Sequence, residues 1–208
     1  MSRADIQWGM NPIFCLKELF SRLFERKWVI VSLILLFLCS TMCGIIFIKT
    51  PTFFDYHLRV CDRFLNRVCY SDRSVVLICF ERFFGCVLFL LLIMLGGVHP
   101  AALVLTTTAI AFRAYTFGGS LAIFFSVYRA SGALVVFALY LPVHILLDFL
   151  FLAAGAITFR RSFCFKFCVS DFKELLIDFA LFLVLVLLVC ILEAFLLGVL
   201  FHPLGNLI

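Results

Sequence analysis

The order of apolar and polar positions along the chain is dominated by apolar stretches of membrane-spanning length. Residues 28–48 carry no charged side chain, and residues 175–201 carry only Asp178 and Glu193. A hydrocarbon core of about 30 Å is crossed by about 20 apolar residues of helix. The pattern therefore predicts an all-α, polytopic transmembrane helical bundle.

Five segments have the required length. They cover residues 28–48, 75–98, 101–127, 133–159 and 175–201, which together place a transmembrane helical domain over residues 28–208. Pro142 interrupts the fourth segment, so six spans result if it splits that segment into a hairpin. Gly118 and Gly119 predict a bend or an unwound turn in the third.

Two further segments have the 3.6-residue periodicity of amphipathic helices. The first covers residues 12–27 and makes residues 1–27 an N-terminal amphipathic segment at the membrane interface. The second covers residues 53–69 and lies on the membrane or caps the bundle. Its apolar face carries Phe54, Leu58, Cys61, Leu65 and Val68, and its polar face carries Arg59, Asp62, Arg63 and Arg67.

Lysine and arginine counts set the expected orientation. Five spans with the N terminus in the cytoplasm place nine of these residues inside and six outside. Six spans reverse the bias, so we favour five. The first apolar stretch is too long for a signal-peptide core and lacks a small-residue cleavage site, so no cleavable signal is expected.

Composition agrees with a cell-membrane protein that has little soluble mass. Hydrophobic residues make up 65% of the 208 positions and charged residues 14%, against about 25% charged in soluble domains. The net charge of +5 is typical of membrane topology and anionic lipid rather than of nucleic-acid binding.

The ten cysteines do not indicate a dense disulfide framework or a metal site. Half of them lie inside apolar segments, where cysteine behaves as a small hydrophobic residue. Cys164 and Cys168 have no histidine nearby, and zinc normally needs four ligands. A disulfide between Cys61 and Cys69 stays open if their loop lies outside the cell.

Ionisable side chains within the spans are the candidate functional residues, because each costs about 2.5–3.5 kcal/mol to insert. The candidate polar cluster consists of Arg113, His144, Asp148 and Glu193, and Asp178 is a further intramembrane acid. His144 and Asp148 are four residues apart and can hydrogen bond on one helix face. Asp148 is also a plausible partner of Arg113, while Glu193 can reach the interface. The cluster either fixes helix packing or lines a path for an ion or proton.

Sequence motifs of enzymes are missing. The chain has no phosphate-binding G-x-x-x-x-G-K-[ST] element, no zinc-protease H-E-x-x-H element and no G-x-S-x-G nucleophile element. We therefore expect a non-enzymatic protein that needs no cofactor.

Residues 83–159 resemble the stage II sporulation protein M family. The resemblance rests on residues 113–118, Arg-Ala-Tyr-Thr-Phe-Gly, and on residues 141–148, Leu-Pro-Val-His-Ile-Leu-Leu-Asp, followed by the small residues 153–155. The chain departs from the family pattern at Ala114, at Val143 and at Asp148, where the family has glycine, no inserted residue and glutamate.

The resemblance implies a scaffold that anchors a septal peptidoglycan-remodelling complex during forespore engulfment. Its partners would then be other membrane proteins, including single-span proteins that hydrolyse peptidoglycan. The alternative is a small transporter or permease subunit with a polar intramembrane path through Arg113, His144 and Asp148.

Overall fold

The computed structural model describes residues 27–69, 75–129, 132–133, 136–162 and 169–200. The N-terminal amphipathic segment predicted over residues 1–27 lies outside this part of the chain except for Lys27. The predicted turn at residues 70–74 lies outside it as well.

Six α-helices account for most of the described residues. They are α1 (Lys27–Phe47), α2 (Pro51–Cys69), α3 (Val75–Leu95), α4 (Leu103–Ser126), α5 (Leu141–Ser162) and α6 (Val169–Leu200). A short 3₁₀ turn, Pro100–Ala102, leads into α4, and a π-helical turn, Val136–Tyr140, leads into α5. No strand occurs within these described ranges, as the all-α prediction requires.

Four helices of the described chain are long and apolar enough to cross a membrane. They correspond to α1, α4 with its preceding 3₁₀ turn, α5, and most of α6. Their outward faces carry large exposed side chains such as Leu35, Phe149 and Leu188, as lipid contact requires. The protein is therefore a multi-pass membrane protein. The remaining predicted span coincides with α3, a 21-residue helix that is not one of these four and that packs on α4, α5 and α6. A fifth span therefore stays a prediction.

The glycine pair in α4 does not unwind the helix, so the predicted unwound turn is wrong. The helix runs unbroken from Leu103 to Ser126. A Cβ on Gly118 would collide with the backbone of Thr41, and a Cβ on Gly44 would collide with the backbone of Tyr115. These glycines instead let α1 and α4 approach each other backbone to backbone.

Pro142 does not create a hairpin. The π-helical turn runs directly into α5, and the chain stays helical from Val136 to Ser162. Proline has no N–H to donate to the carbonyl of residue 138, and its ring crowds that carbonyl. We attribute the wider π turn to this crowding, and the sixth span that Pro142 suggested is wrong.

The segment predicted as a helix over residues 53–69 is helical and forms α2, which packs on α4. His57 and Cys61 are buried one helical turn apart, and Phe54 and Leu58 are half-buried beside them. Asp55, Arg59 and Arg63 are exposed on the other side. Cys61 and Cys69 are about 12 Å apart along one helix, so they cannot form the disulfide that the sequence left open.

Candidate functional site

A buried ion pair joins α4 to α5 near the middle of the bundle. The Arg113 Nε donates to Asp148 Oδ1 at 3.0 Å, and the two side chains are 11% and 6% exposed. The Arg113 guanidinium also lies over the Phe151 ring at 5.5 Å. The sequence suggested this pairing because each charge needs a partner inside the membrane. Arg113 Nη2 and Asp148 Oδ2 are buried without a further hydrogen-bond partner.

A second ion pair joins α3 to α6. The Arg82 Nε donates to Glu193 Oε2 at 3.0 Å, and both side chains are largely buried. Glu193 therefore has its partner inside the bundle. The sequence analysis did not single out Arg82 as a candidate residue. The signal that could have found it is charge balance, since Glu193 needs a cation at similar depth.

Arg82 also binds His144. Its Nη2 lies 2.8 Å from His144 Nε2, and His144 Nδ1 lies 2.9 Å from the Tyr140 carbonyl oxygen. A guanidinium can only donate and a carbonyl can only accept, so Nε2 accepts and Nδ1 donates. His144 is therefore the neutral Nδ1–H tautomer.

The predicted hydrogen bond between His144 and Asp148 is not formed. The two residues share a helix face, but both ring nitrogens of His144 are already used by Arg82 and Tyr140. The imidazole is also stacked on the Tyr140 ring, with centroids 3.8 Å apart. The stacking on Tyr140 and the two hydrogen bonds fix the orientation of the His144 ring.

These five residues, Arg82, Arg113, His144, Asp148 and Glu193, form what we call the α2-side cluster. Arg82 contacts both Glu193 and His144, so α3 and α5 begin, and α6 ends, at the same end of the bundle. The helix α2 packs on the last turns of α4 at that end. Arg82 and Glu193 lie about 10 Å along their helices from that end, and Arg113 lies about 20 Å along α4, near the middle of the bundle.

A cavity of about 210 Å³ opens beside the cluster. Its polar wall is formed by Arg63, Arg82, Arg113, Thr116, Ser120 and His144. Among the described residues that line it, none is acidic, since Asp148 and Glu193 stand behind the arginines. Arg63 is exposed on α2, so the cavity reaches the surface there.

The opposite end of the bundle holds a separate ionic group, which we call the distal pair. Arg161 at the end of α5 lies 2.7 Å from Asp178 and 3.4 Å from Glu174, both on α6. Asp178, the further intramembrane acid of the sequence, therefore pairs with an arginine at the end of the neighbouring helix. This pair fastens the α5–α6 connection and does not touch the cavity.

Two titratable groups of α2 are buried against α4. His57 is fully buried against Gly119, where even a Cβ would collide with the ring. Burial without a hydrogen-bond partner lowers the pKa of His57. Burial raises the pKa of the Cys61 thiol to about 12, although its Sγ donates to the Ser120 carbonyl oxygen. Both groups are therefore uncharged at neutral pH.

No group of three or more histidine, cysteine or acidic side chains in the described ranges is arranged to hold a metal ion. Comparisons with protein-family models, with curated proteins and with solved structures found no match. The functional assignment therefore depends on the site itself and on the sequence resemblance.

Proposed function

We propose that this chain is a non-enzymatic integral membrane scaffold of the cell membrane. The sequence resemblance supports the more specific proposal that it anchors a septal peptidoglycan-remodelling complex during forespore engulfment. The observation that carries the scaffold proposal is α2, a helix held firmly on the bundle by one side and presenting charged residues on the other.

The attachment of α2 is extensive enough to present a fixed surface. His57 sits against Gly119, and Cys61 donates to the carbonyl of Ser120. The hydroxyl of Tyr128, just beyond α4, donates to Asp62. These three contacts hold α2 against the bundle, so its exposed side keeps one orientation. A fixed orientation lowers the entropic cost of binding a partner.

The exposed side of α2 suits a partner that carries both signs of charge. Asp55, Arg59 and Arg63 are exposed there, and complementary charges give orientation and specificity to an interface. Under the proposed five spans with a cytoplasmic N terminus, α2 lies outside the cytoplasm. Single-span peptidoglycan hydrolases carry their soluble parts on that side, which makes them suitable partners.

Crosslinked pull-down of the tagged protein from native membranes, read by mass spectrometry, tests the scaffold proposal. We expect wild type to recover peptidoglycan-hydrolysing membrane proteins and R59E to lose them, because a reversed charge opposes the docking surface. K173E is the matched control, since Lys173 is exposed on α6 at the opposite end. Equal recovery with R59E, or recovery of no wall hydrolase, contradicts the proposal.

The cavity favours a second candidate function, a small transporter or permease subunit. Such a protein needs a polar path, and Arg113 and His144 line a cavity that reaches the surface beside α2. The substitution T116C tests this, because Thr116 lines the cavity and lies off the ion pairs. Labelling of the introduced thiol by charged aqueous reagents from both membrane sides supports transport. Labelling from one side only contradicts it.

A further inference from the structure

We propose that the cavity beside the α2-side cluster is a binding site for a phosphate group, either on an anionic lipid headgroup or as a soluble phosphate. The inference does not depend on the scaffold proposal, although Arg63 belongs both to the exposed side of α2 and to the mouth of the cavity. It rests on the charge of the cavity wall, on hydrogen-bond donors that have no partner there, and on the opening of the cavity to the surface.

Charge is the first argument. Three guanidinium groups, those of Arg63, Arg82 and Arg113, line the wall. The carboxylates of Glu193 and Asp148 bind the Nε atoms of Arg82 and Arg113 from outside the cavity lining. The neutral tautomer of His144 adds no charge. Counting these two carboxylates, the site carries a net charge of +1, which is that of Arg63 at the mouth, and an anion would neutralise it.

Unused donors are the second argument. Arg113 Nη2 is buried with no partner, and so is the hydroxyl of Ser120, a residue that is 1% exposed. The Ser120 hydroxyl lies near the Tyr140 phenol but has no hydrogen-bond geometry to it. Buried polar groups in native proteins are nearly always satisfied, so unmade bonds that line one cavity point to a missing acceptor.

The number and type of these donors fit phosphate better than a halide. Planar guanidinium forks match tetrahedral oxyanions, and one phosphate can accept several hydrogen bonds at once. The Ser120 hydroxyl is a further donor on the same wall, whereas the Thr116 hydroxyl already donates to the Arg113 carbonyl oxygen. A volume of about 210 Å³ far exceeds the roughly 10–15 Å³ that one water needs.

Access is the third argument. The cavity opens at Arg63 on α2, which is exposed. The apolar part of the lining includes Val60, Phe64 and Phe117, two of which belong to α2. A headgroup can therefore enter beside α2 while its acyl chains stay along the apolar helix faces, and a soluble phosphate can enter from water at the same place.

Thermal unfolding of the full chain in maltoside detergent, which carries no phosphate, tests the inference. Inorganic phosphate is compared with chloride at equal ionic strength, and micelles containing phosphatidylglycerol are compared with maltoside alone. A ligand at tenfold excess over its Kd should raise the unfolding midpoint by about 3–5 °C. A rise with phosphate identifies a soluble source, and a rise with the lipid alone identifies a headgroup.

The double variant R63Q/S120A should lose most of either rise. Both changes are mild, because Arg63 is exposed and the backbone carbonyl that Cys61 contacts is unaffected by S120A. R161Q, at the distal pair, is the matched control and should keep the full rise. The inference is overturned if neither probe stabilises wild type, or if R63Q/S120A responds as strongly as wild type.

Discussion

The two ends of the bundle use buried charge in different ways. The distal pair joins residues that are 17 positions apart on adjacent helices, and its other acid, Glu174, is 59% exposed on the side chain. The α2-side cluster joins residues 35 to 111 positions apart on four helices, with side chains 6–20% exposed. Local pairs near water fasten a connection, whereas long-range buried pairs fix which helices pack together.

The same contrast appears in what surrounds the charges. At the distal pair Asp178 and Glu174 both lie within ion-pair distance of Arg161. At the α2-side cluster both arginines also line a cavity whose described lining contains no acid. A structural ion pair has no need of such a cavity, so the comparison separates a packing role from a binding role. Two of the four experiments below test this contrast, and the other two test the packing of α1 and α2 on α4.

The largest effect is expected from R82Q. It leaves Glu193 as an uncompensated buried charge and removes the donor to His144, which should cost about 3–5 kcal/mol of unfolding free energy. SDS-induced unfolding in mixed micelles measures it. R82Q/E193Q should recover most of the loss, because both charges go together. If R82Q unfolds like wild type, the Arg82–Glu193 pair is solvated and the proposed burial of its charges is wrong.

G118A should follow, with a loss of about 2–3 kcal/mol, because the new methyl group meets the Thr41 backbone and forces α1 away from α4. The matched control is G85A in α3, where nothing lies within 4 Å of the new Cβ. That change should be neutral or stabilising by about 0.5–1 kcal/mol through helix propensity. Equal effects of the two variants in the same unfolding assay would refute a close α1–α4 crossing.

R161Q tests the other end and should cost about 1–2 kcal/mol, between the values for exposed and buried pairs. Water can reach Glu174 and partly replace the lost partner. The ratio of the R82Q loss to the R161Q loss in the same assay is therefore expected to exceed two. If R161Q proves the more damaging variant, the proposed division between the two ends is wrong.

The smallest effect concerns pH and His57. Its pKa is lowered in the folded protein, so the unfolded chain takes up the proton first as pH falls below about 6.5. Its contribution is fully present above that pH and is lost on acidification, by about 1 kcal/mol at pH 5.5. Unfolding free energies at pH 7.5 and 5.5 should therefore differ more in wild type than in H57Q.

The sequence was sufficient for features that depend on local pattern. Apolar run length predicted helices whose bounds lie within a few residues of those observed, such as 28–48 against Lys27–Phe47. The 3.6-residue period of residues 53–69 predicted α2 and most of its buried face. It missed His57, because a histidine between apolar positions reads as part of the polar face.

Features that depend on particular neighbours needed the structure. Pro142 and the Gly118–Gly119 pair suggested helix breaks. In the structure a π-helical turn accommodates Pro142, and the glycines let neighbouring helices pack closely. Arg82 was not a candidate residue from the sequence, because its partners Glu193 and His144 lie 111 and 62 positions away along the chain.

By itself, the sequence determined that this chain belongs in a membrane, because the cost of exposing long apolar helices to water depends on composition and length alone. It also determined that each intramembrane charge needs a partner. Only the tertiary structure decided which partner each charge has, and that both arginines of the cluster line one cavity. Pairing across four helices is set by helix order, depth and rotation, and those depend on contacts between residues far apart in the chain.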